Sequence, residues 1–324
     1  MEELSPDLAR TTILIKERQV IGSHSMFRIS PKTWLLHQLA VDQTISLYKK
    51  ELPSKKIIQS TFQFLCLDHV TEYFVTIFLH DDPVRKIYFD SCKSHNNEND
   101  YHMIPCRWLV FDLKKQATYI RERFDPDRGI PDNSRQLSIC GEADPHEMEI
   151  ISRYLAARTN KLEYEAFSFG DLTMMGFSES WRMKGMNVNR RVFVARGEQN
   201  EMTNFAIVTD WPSGLNISGI MDNTFRIFSV SENEGNDTNA KLQLVHHVLR
   251  SMADEEKSTV SFICDENDFE DYASIPFHDF GKLWILVAHR NTFQTALQFF
   301  KNRYARLEAR LVRQSESLSR QGAA

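Results

Sequence analysis

The stretch Thr224–Arg290 decides the architecture: TFRIFSV (224–230), SENEGNDTNA (231–240), KLQLVHHVLRSMA (241–253), STVSFIC (258–264), DENDFEDYASIPF (265–277), KLWILVAH (282–289). Its apolar periodicity predicts strand, polar loop, amphipathic helix, strand, acidic helix start and strand. A strand that opens through a loop into a helix presents free backbone N–H groups at the helix start, where the helix dipole favours an anion. The order of elements therefore points to a phosphorylated ligand before any side chain is considered.

Upstream, Asp144-Pro145 opens a predicted helix, HEMEIISRYLAART, with aspartate at the cap and proline in the first turn. SESWRMKGM predicts a second helix, and RRVFVARG and MTNFAIVTDW predict two strands joined by a turn at Glu198–Glu201. In the first half, TTILIKERQVIG reads as one strand. Pro31–Leu52 reads as a helix, with Trp34, Leu35, Leu39, Ile45 and Leu47 near a helical period. IIQSTFQFLCLD, TEYFVTIFLH, RKIYFDSC and IPCRWLVFDL read as strands, Asp81-Asp82-Pro83 as a turn, and KKQATYIRERF as a short helix. The Pro/Gly-rich segment Phe124–Gln136 is the expected linker. It divides the chain into an N-terminal α/β domain (1–135), a second domain with a long C-terminal helix (136–313) and a disordered tail (314–324). That final helix, Thr292 to about Val312, carries Phe293, Leu297, Phe300, Tyr304, Leu307 and Leu311 at alternating spacings of four and three. It is expected to pack on its own domain, with a homodimer through this helix as the alternative.

Composition bounds the function. The chain has 324 residues, 26% charged and 42% hydrophobic, the profile of a globular protein with a proper core. A net charge of -5 gives no reason to expect nucleic acid or an anionic membrane as partner. No apolar run is long enough to span a bilayer, and MEELSPDLARTT lacks a signal-peptide pattern, so the expected location is the cytoplasm. Five cysteines at irregular spacing (Cys66, Cys92, Cys106, Cys140, Cys264) argue against a disulfide framework or a zinc knuckle. His246 and His247 stand about 100° apart on a helix and cannot both ligate one metal, and the acidic run Asp265–Asp271 lacks the glycine and glutamate of a calcium loop. One of the two histidines is expected on the sheet and the other in solvent. No metal is expected.

From Pro145 to Arg290 the element order resembles the GNAT-type acyl-CoA N-acyltransferase superfamily. A local run adds to it: Asn267 precedes Tyr272-Ala273-Ser274-Ile275-Pro276-Phe277, similar to the family's Asn and Tyr-x-x-Leu-Gly-Phe, with proline for glycine. The resemblance implies an α+β fold with a mixed, mainly antiparallel sheet flanked by helices, the fourth and fifth strands splayed apart. One arrangement it allows is a diverged second copy in tandem in the first half, for which no residue-level repeat is found. It also implies acetyl-CoA or another acyl-CoA as cofactor, an amine as acceptor, and Tyr272 as the acid that protonates the departing thiolate. Gly235, Asn236, Asp237, Thr238, Asn239, Ala240 and Lys241 would hold the diphosphate. Here the sequence departs from the family pattern: Gly235 replaces its Gln/Arg, Thr238 replaces its first glycine, and only Ala240 fits. The strand-four general base has no counterpart in TFRIFSV. The second reading is a non-catalytic relative serving ligand sensing or assembly. A variant of that reading, cyclic-dinucleotide binding, rests on Arg190-Arg191 with Asn216-Ile217-Ser218-Gly219, though solvated strand ends explain the arginines as well.

Overall fold

The computed structural model describes residues 7–42, 47–95, 97–124, 139–211, 223–230, 234–255 and 257–321. They pack into two compact units, Met1–Met103 with Ile285–Ala324, and Ile104–Trp284.

Unit 1 starts with the hairpin β1 (Ala9–Lys16) and β2 (Gln19–Ser30), followed by β3 (Thr33–Val41), all antiparallel. The segment expected as one strand is two, because Glu17 and Arg18 both take positive φ (52° and 67°) in a two-residue turn. The helix expected over Pro31–Leu52 is instead β3 and the start of α1 (Leu47–Leu67). Trp34, Leu35 and Leu36 are all buried, so both faces of β3 are covered. A strand covered on both faces loses its alternation and imitates a helical run. IIQSTFQFLC belongs to α1, where Ile58, Phe62 and Leu65 share one buried face at helical spacing. RKIYFDSC belongs to α2 (Pro83–Lys93), so Pro83 opens a helix there. β4 (Tyr73–Leu79) runs parallel to β3, and α1 is the crossover. A Cβ on Gly22 would lie 2.6 Å from Ile57 Cδ1, the far end of a flexible side chain, and 3.0 Å from the backbone oxygen of Ala40, so a larger residue there would press on α1 and β3. The long helix α8 (Phe293–Gln321) packs on α1 and α2 through Phe293, Ala296, Leu297 and Phe300. It continues through residue 321, where a disordered tail was expected from 314.

Unit 2 follows the same plan with added helices. β6 (Ile139–Glu142) leads through α4 (Pro145–Arg158), α5 (Lys161–Ala166) and α6 (Met175–Arg182) to β7 (Asn189–Arg196), β8 (Met202–Asp210) and β9 (Thr224–Ser229), an antiparallel set. Asp144 caps α4 in a reciprocal box with Glu147, as its sequence predicts. The crossover helix α7 (Glu234–Asp254) then returns the chain to β10 (Thr259–Asp265), parallel to β9. A 3-10 helix, Glu266–Tyr272, precedes β11 (His278–His289).

β5 (Tyr101–Asp112), followed by α3 (Ala117–Phe124), pairs antiparallel with β10 in unit 2. The C-terminal end of β11 lies beside β4 in unit 1. The chain thus changes unit inside β5 and again inside β11. The boundary expected between 135 and 136, and nearly all of the linker expected at Phe124–Gln136, lie outside the described residues. Strands that close a sheet are apolar, so no linker composition marks such a crossing. Each unit contains antiparallel strands, a helical crossover and a parallel strand, and the fold is the expected mixed, mainly antiparallel sheet flanked by helices.

Candidate functional site

The site follows from how β9 and β10 pair. They share only two residue pairs, Thr224 with Ser261 and Phe225 with Phe262, whose rings stack at 4.5 Å and 7°. Beyond Phe225 the strands part, while β9 remains paired to β8 along its whole length. Because Asn223 O accepts from Ser261 N, strand alternation turns the backbone groups of Phe225, Ile227 and Ser229 toward β10. Those of Ile227 and Ser229 lie past the last pair, at the edge of a cavity of about 260 Å³.

Side chains from both faces of the sheet line this cavity. From the α4–α5 side come Tyr154, Arg226 and Asp265; from the α7 side come Lys241 and Asp268. The Tyr154 hydroxyl donates to Ser229 O at 2.5 Å. Arg226 Nη1 pairs with Glu163 Oε1 at 2.6 Å, and Glu163 is 5% exposed on α5. Burial works against the Arg226 charge, but Glu163 outweighs it and holds the guanidinium above its usual pKa. Lys241 Nζ reaches Asp271 at 3.2 Å and Asp268 at 3.3 Å, tying the start of α7 to the 3-10 helix. Burial raises the Asp268 carboxyl above the ordinary range, more than Lys241 lowers it. The cavity therefore holds two cations that already have counter-charges, one hydroxyl and a stretch of open strand edge.

The residues singled out from sequence fall around this cavity unevenly. Because α7 begins at Glu234, Gly235 to Lys241 form its first two turns, where a loop was expected. Lys241 faces the cavity, Thr238 bonds Asp271, Ala240 enters the core and Asn239 is exposed. The side chains of Gly235, Asn236 and Asp237 lie outside the described set. Tyr272 is 2% exposed, edge-on to Phe262 at 4.7 Å within the core, and it is absent from the cavity lining. Tyr154, Glu163, Arg226 and Asp268 were not singled out, since nothing local in the sequence marks a residue that becomes important only when two strands separate.

Other expectations resolve more simply. Both histidines of α7 are half-buried: His246 Nε2 lies 3.0 Å from the Tyr119 hydroxyl, and His247 packs on the Phe193 ring. Neither is the solvent-facing residue expected. Arg190 and Arg191 are not solvated strand ends. Arg190 is 8% exposed, and Arg191 bonds Asp210 at 3.3 Å and also Glu255. Asn216 to Gly219 lie outside the described residues. Among the described residues no group of three or more His, Cys, Asp or Glu is placed to hold a metal, and no helix is long and apolar enough to cross a membrane.

No protein-family model matches the chain, and no curated protein matches its sequence. Among solved structures it is similar to a tandem GNAT protein from the clavulanic acid biosynthesis pathway. There the identity is 13%, the TM-score 0.44, and 88% of this chain and 85% of that one are covered. A GCN5-related N-acetyltransferase from Kribbella flavida aligns at 8% identity and TM-score 0.44, over 87% and 90% of the two chains. N-myristoyltransferase of Saccharomyces cerevisiae with bound myristoyl-CoA aligns at 8% identity and TM-score 0.41, over 84% and 67%.

Proposed function

We propose that unit 2 binds an acyl thioester of the coenzyme A type in the gap between β9 and β10 and transfers its acyl group to an amine. The observation that carries this reading is the separation of the parallel strands after Phe225 and Phe262, which leaves strand edge facing a cavity. The residues present fit an extended pantetheine-like arm. Ile227 and Ser229 offer backbone donors and acceptors, while Arg226 and Lys241, already paired with carboxylates, line the walls of the cavity. When bound, the thioester supplies an activated carbonyl.

The chain's own groups then have distinct work. Asp268, made more basic by burial and ionised beside Lys241, takes the proton from the amine as its nitrogen bonds to the carbonyl carbon. Tyr154, held by Ser229 O, gives its proton to the sulfur as the carbon–sulfur bond breaks. Lining from both faces lets donor and acceptor approach from opposite sides of the sheet. In this reading the acid expected at Tyr272 is replaced by Tyr154, and the unit lies in an aqueous compartment such as the cytoplasm.

Thermal unfolding with acetyl-CoA, a long-chain acyl-CoA and free coenzyme A tests the reading. Ligand at 100 times its dissociation constant adds about 2.7 kcal/mol. A rise with a thioester that vanishes in Ser229→Trp, which fills the gap, supports it. No rise with any of the three leaves the cavity to a non-catalytic sensing or assembly role.

A further inference from the structure

Helix α8 carries a charge pattern that its own unit does not use. Between Lys301 and Arg313 there are five basic residues and one acid, in a chain whose net charge is -5. Arg303, Arg306, Arg310 and Arg313 follow one another at spacings of three, four and three, which aligns them on one helix face over about 15 Å. Arg306, Arg310 and Arg313 are exposed, and none of the three has an ion-pair partner among the described residues. Arg303 leans over the Phe299 ring at 5.8 Å. The single acid, Glu308, hydrogen-bonds Tyr304. Three and four residues either side of Glu308 stand Tyr304, Ala305, Leu311 and Val312, so no arginine of the stripe lies within its reach along the helix. Arg303, Arg306 and Arg310 therefore repel one another with no acid three or four residues away, whereas Arg313 has Glu316 three residues on.

Beside this stripe runs an apolar one. Phe293, Leu297 and Phe300 belong to the core of unit 1, but Tyr304 and Leu307 are only partly covered and Val312 is 54% exposed. In sequence, Leu311 continues the same alternation of four and three. A narrow apolar seam flanked by one sign of charge is the geometry of one strand of a coiled coil.

We propose that the distal part of α8 is a docking surface for an acidic amphipathic helix of another protein. The partner's apolar residues would cover Tyr304 and Leu307 and its carboxylates would meet the arginines. Charge complementarity selects this occupant. A second copy of the chain offers the same five cations and one acid, so self-association through α8 sets like charge against like. A bilayer calls for a broad apolar face, and only a seam remains uncovered beyond Phe300. A nucleic acid would meet the arginines with phosphates but bring no apolar face to cover Tyr304 and Leu307. The surface belongs to unit 1 alone and is independent of the reading of the cavity.

The test uses the full chain and a fluorescent synthetic peptide of four heptads with Leu at a and d and Glu at e and g, at physiological salt. Fluorescence anisotropy should show binding that weakens at least tenfold in Arg306→Glu/Arg310→Glu/Arg313→Glu and in Leu307→Asp. The triple variant should in turn bind the same peptide carrying Lys in place of Glu. Circular dichroism establishes that both variants keep their helix. Four results overturn the proposal: unchanged binding in the triple variant; equal binding of a leucine-free peptide with the same number of Glu; tighter binding of phosphatidylserine vesicles or duplex DNA; or a dimer of the chain that Leu307→Asp dissociates.

Discussion

Replacing Glu163 by Gln should destabilise unit 2 well beyond the loss of one hydrogen bond. Glu163 and Arg226 pair at 2.6 Å, with side-chain exposures of 7% and 23%. Removing one partner of a buried ion pair costs about 3–5 kcal/mol, because the other charge is left without water or counter-charge. The part-exposed guanidinium can recover some hydration, which places Glu163→Gln near the lower end, about 3 kcal/mol. At about 2–4 °C per kcal/mol, the midpoint falls by roughly 6–12 °C. Arg226→Met should cost a similar amount, since it strands a carboxylate. The double variant Glu163→Gln/Arg226→Met leaves no charge to strand, so its cost should lie at least about 2 kcal/mol below the sum of the two singles. Urea unfolding of the four proteins, monitored by fluorescence, measures the coupling. Additive single costs, within about 0.5 kcal/mol, would show that the pair does not hold the wall of the cavity.

Other outcomes follow from individual groups. In unit 1 the Asp68 carboxylate accepts from Arg28 at 2.7 Å, Trp34 at 3.0 Å and Thr71 at 2.6 Å, so Asp68→Asn should cost about 2–3 kcal/mol in urea unfolding. Burial pushes this carboxyl up, but the hydrogen bonds from Thr71 and Trp34 and the charge of Arg28 outweigh it and lower its pKa. Its stabilisation is full above the unfolded pKa and is lost as pH falls through the folded one, a loss that Asp68→Asn should lack. His24, 3% exposed and bonded to Thr61, has its pKa pushed down to about 4 by burial and by His37. The unfolded chain takes up the proton first, so stability should fall by about 3 kcal/mol as pH drops from 6.5 to about 4, and His24→Asn should flatten that slope. In an acyl-transfer assay Tyr154→Phe should slow turnover about 100-fold, while Tyr272→Phe should leave it unchanged. The reverse pattern would return the acid to Tyr272.

Where the sequence speaks through short-range chemistry, the structure agrees with it. The capping box of Asp144 and Glu147, the strand pair RRVFVARG and MTNFAIVTDW, and the order from Thr224 to Arg290 all depend on neighbours within a few residues. The failures share one cause. β3 is covered on both faces and loses its alternation, whereas the aromatic and β-branched residues of α1 imitate a strand until their spacing at Ile58, Phe62 and Leu65 is weighed. The crossing of β5 and β11 between units joins residues nearly 180 positions apart, which no local pattern carries. The cavity is legible only in outline. Its strands and crossover helix follow from periodicity, but the side chains that line it come from α4, the 3-10 helix and the inner edge of β9. The Tyr154 hydroxyl reaches the gap past the last β9–β10 pair, while its ring packs on Phe205 in the core.

Amide hydrogen exchange with and without a saturating acyl-CoA addresses the central claim most directly. If the thioester occupies the gap, the amides of Ile227 and Ser229 on β9, and those of Ile263 and Asp265 across from them, should slow together. Unchanged exchange at Ile227 and Ser229, or protection confined to another part of the chain, would contradict the assignment of this gap as the acyl-donor site.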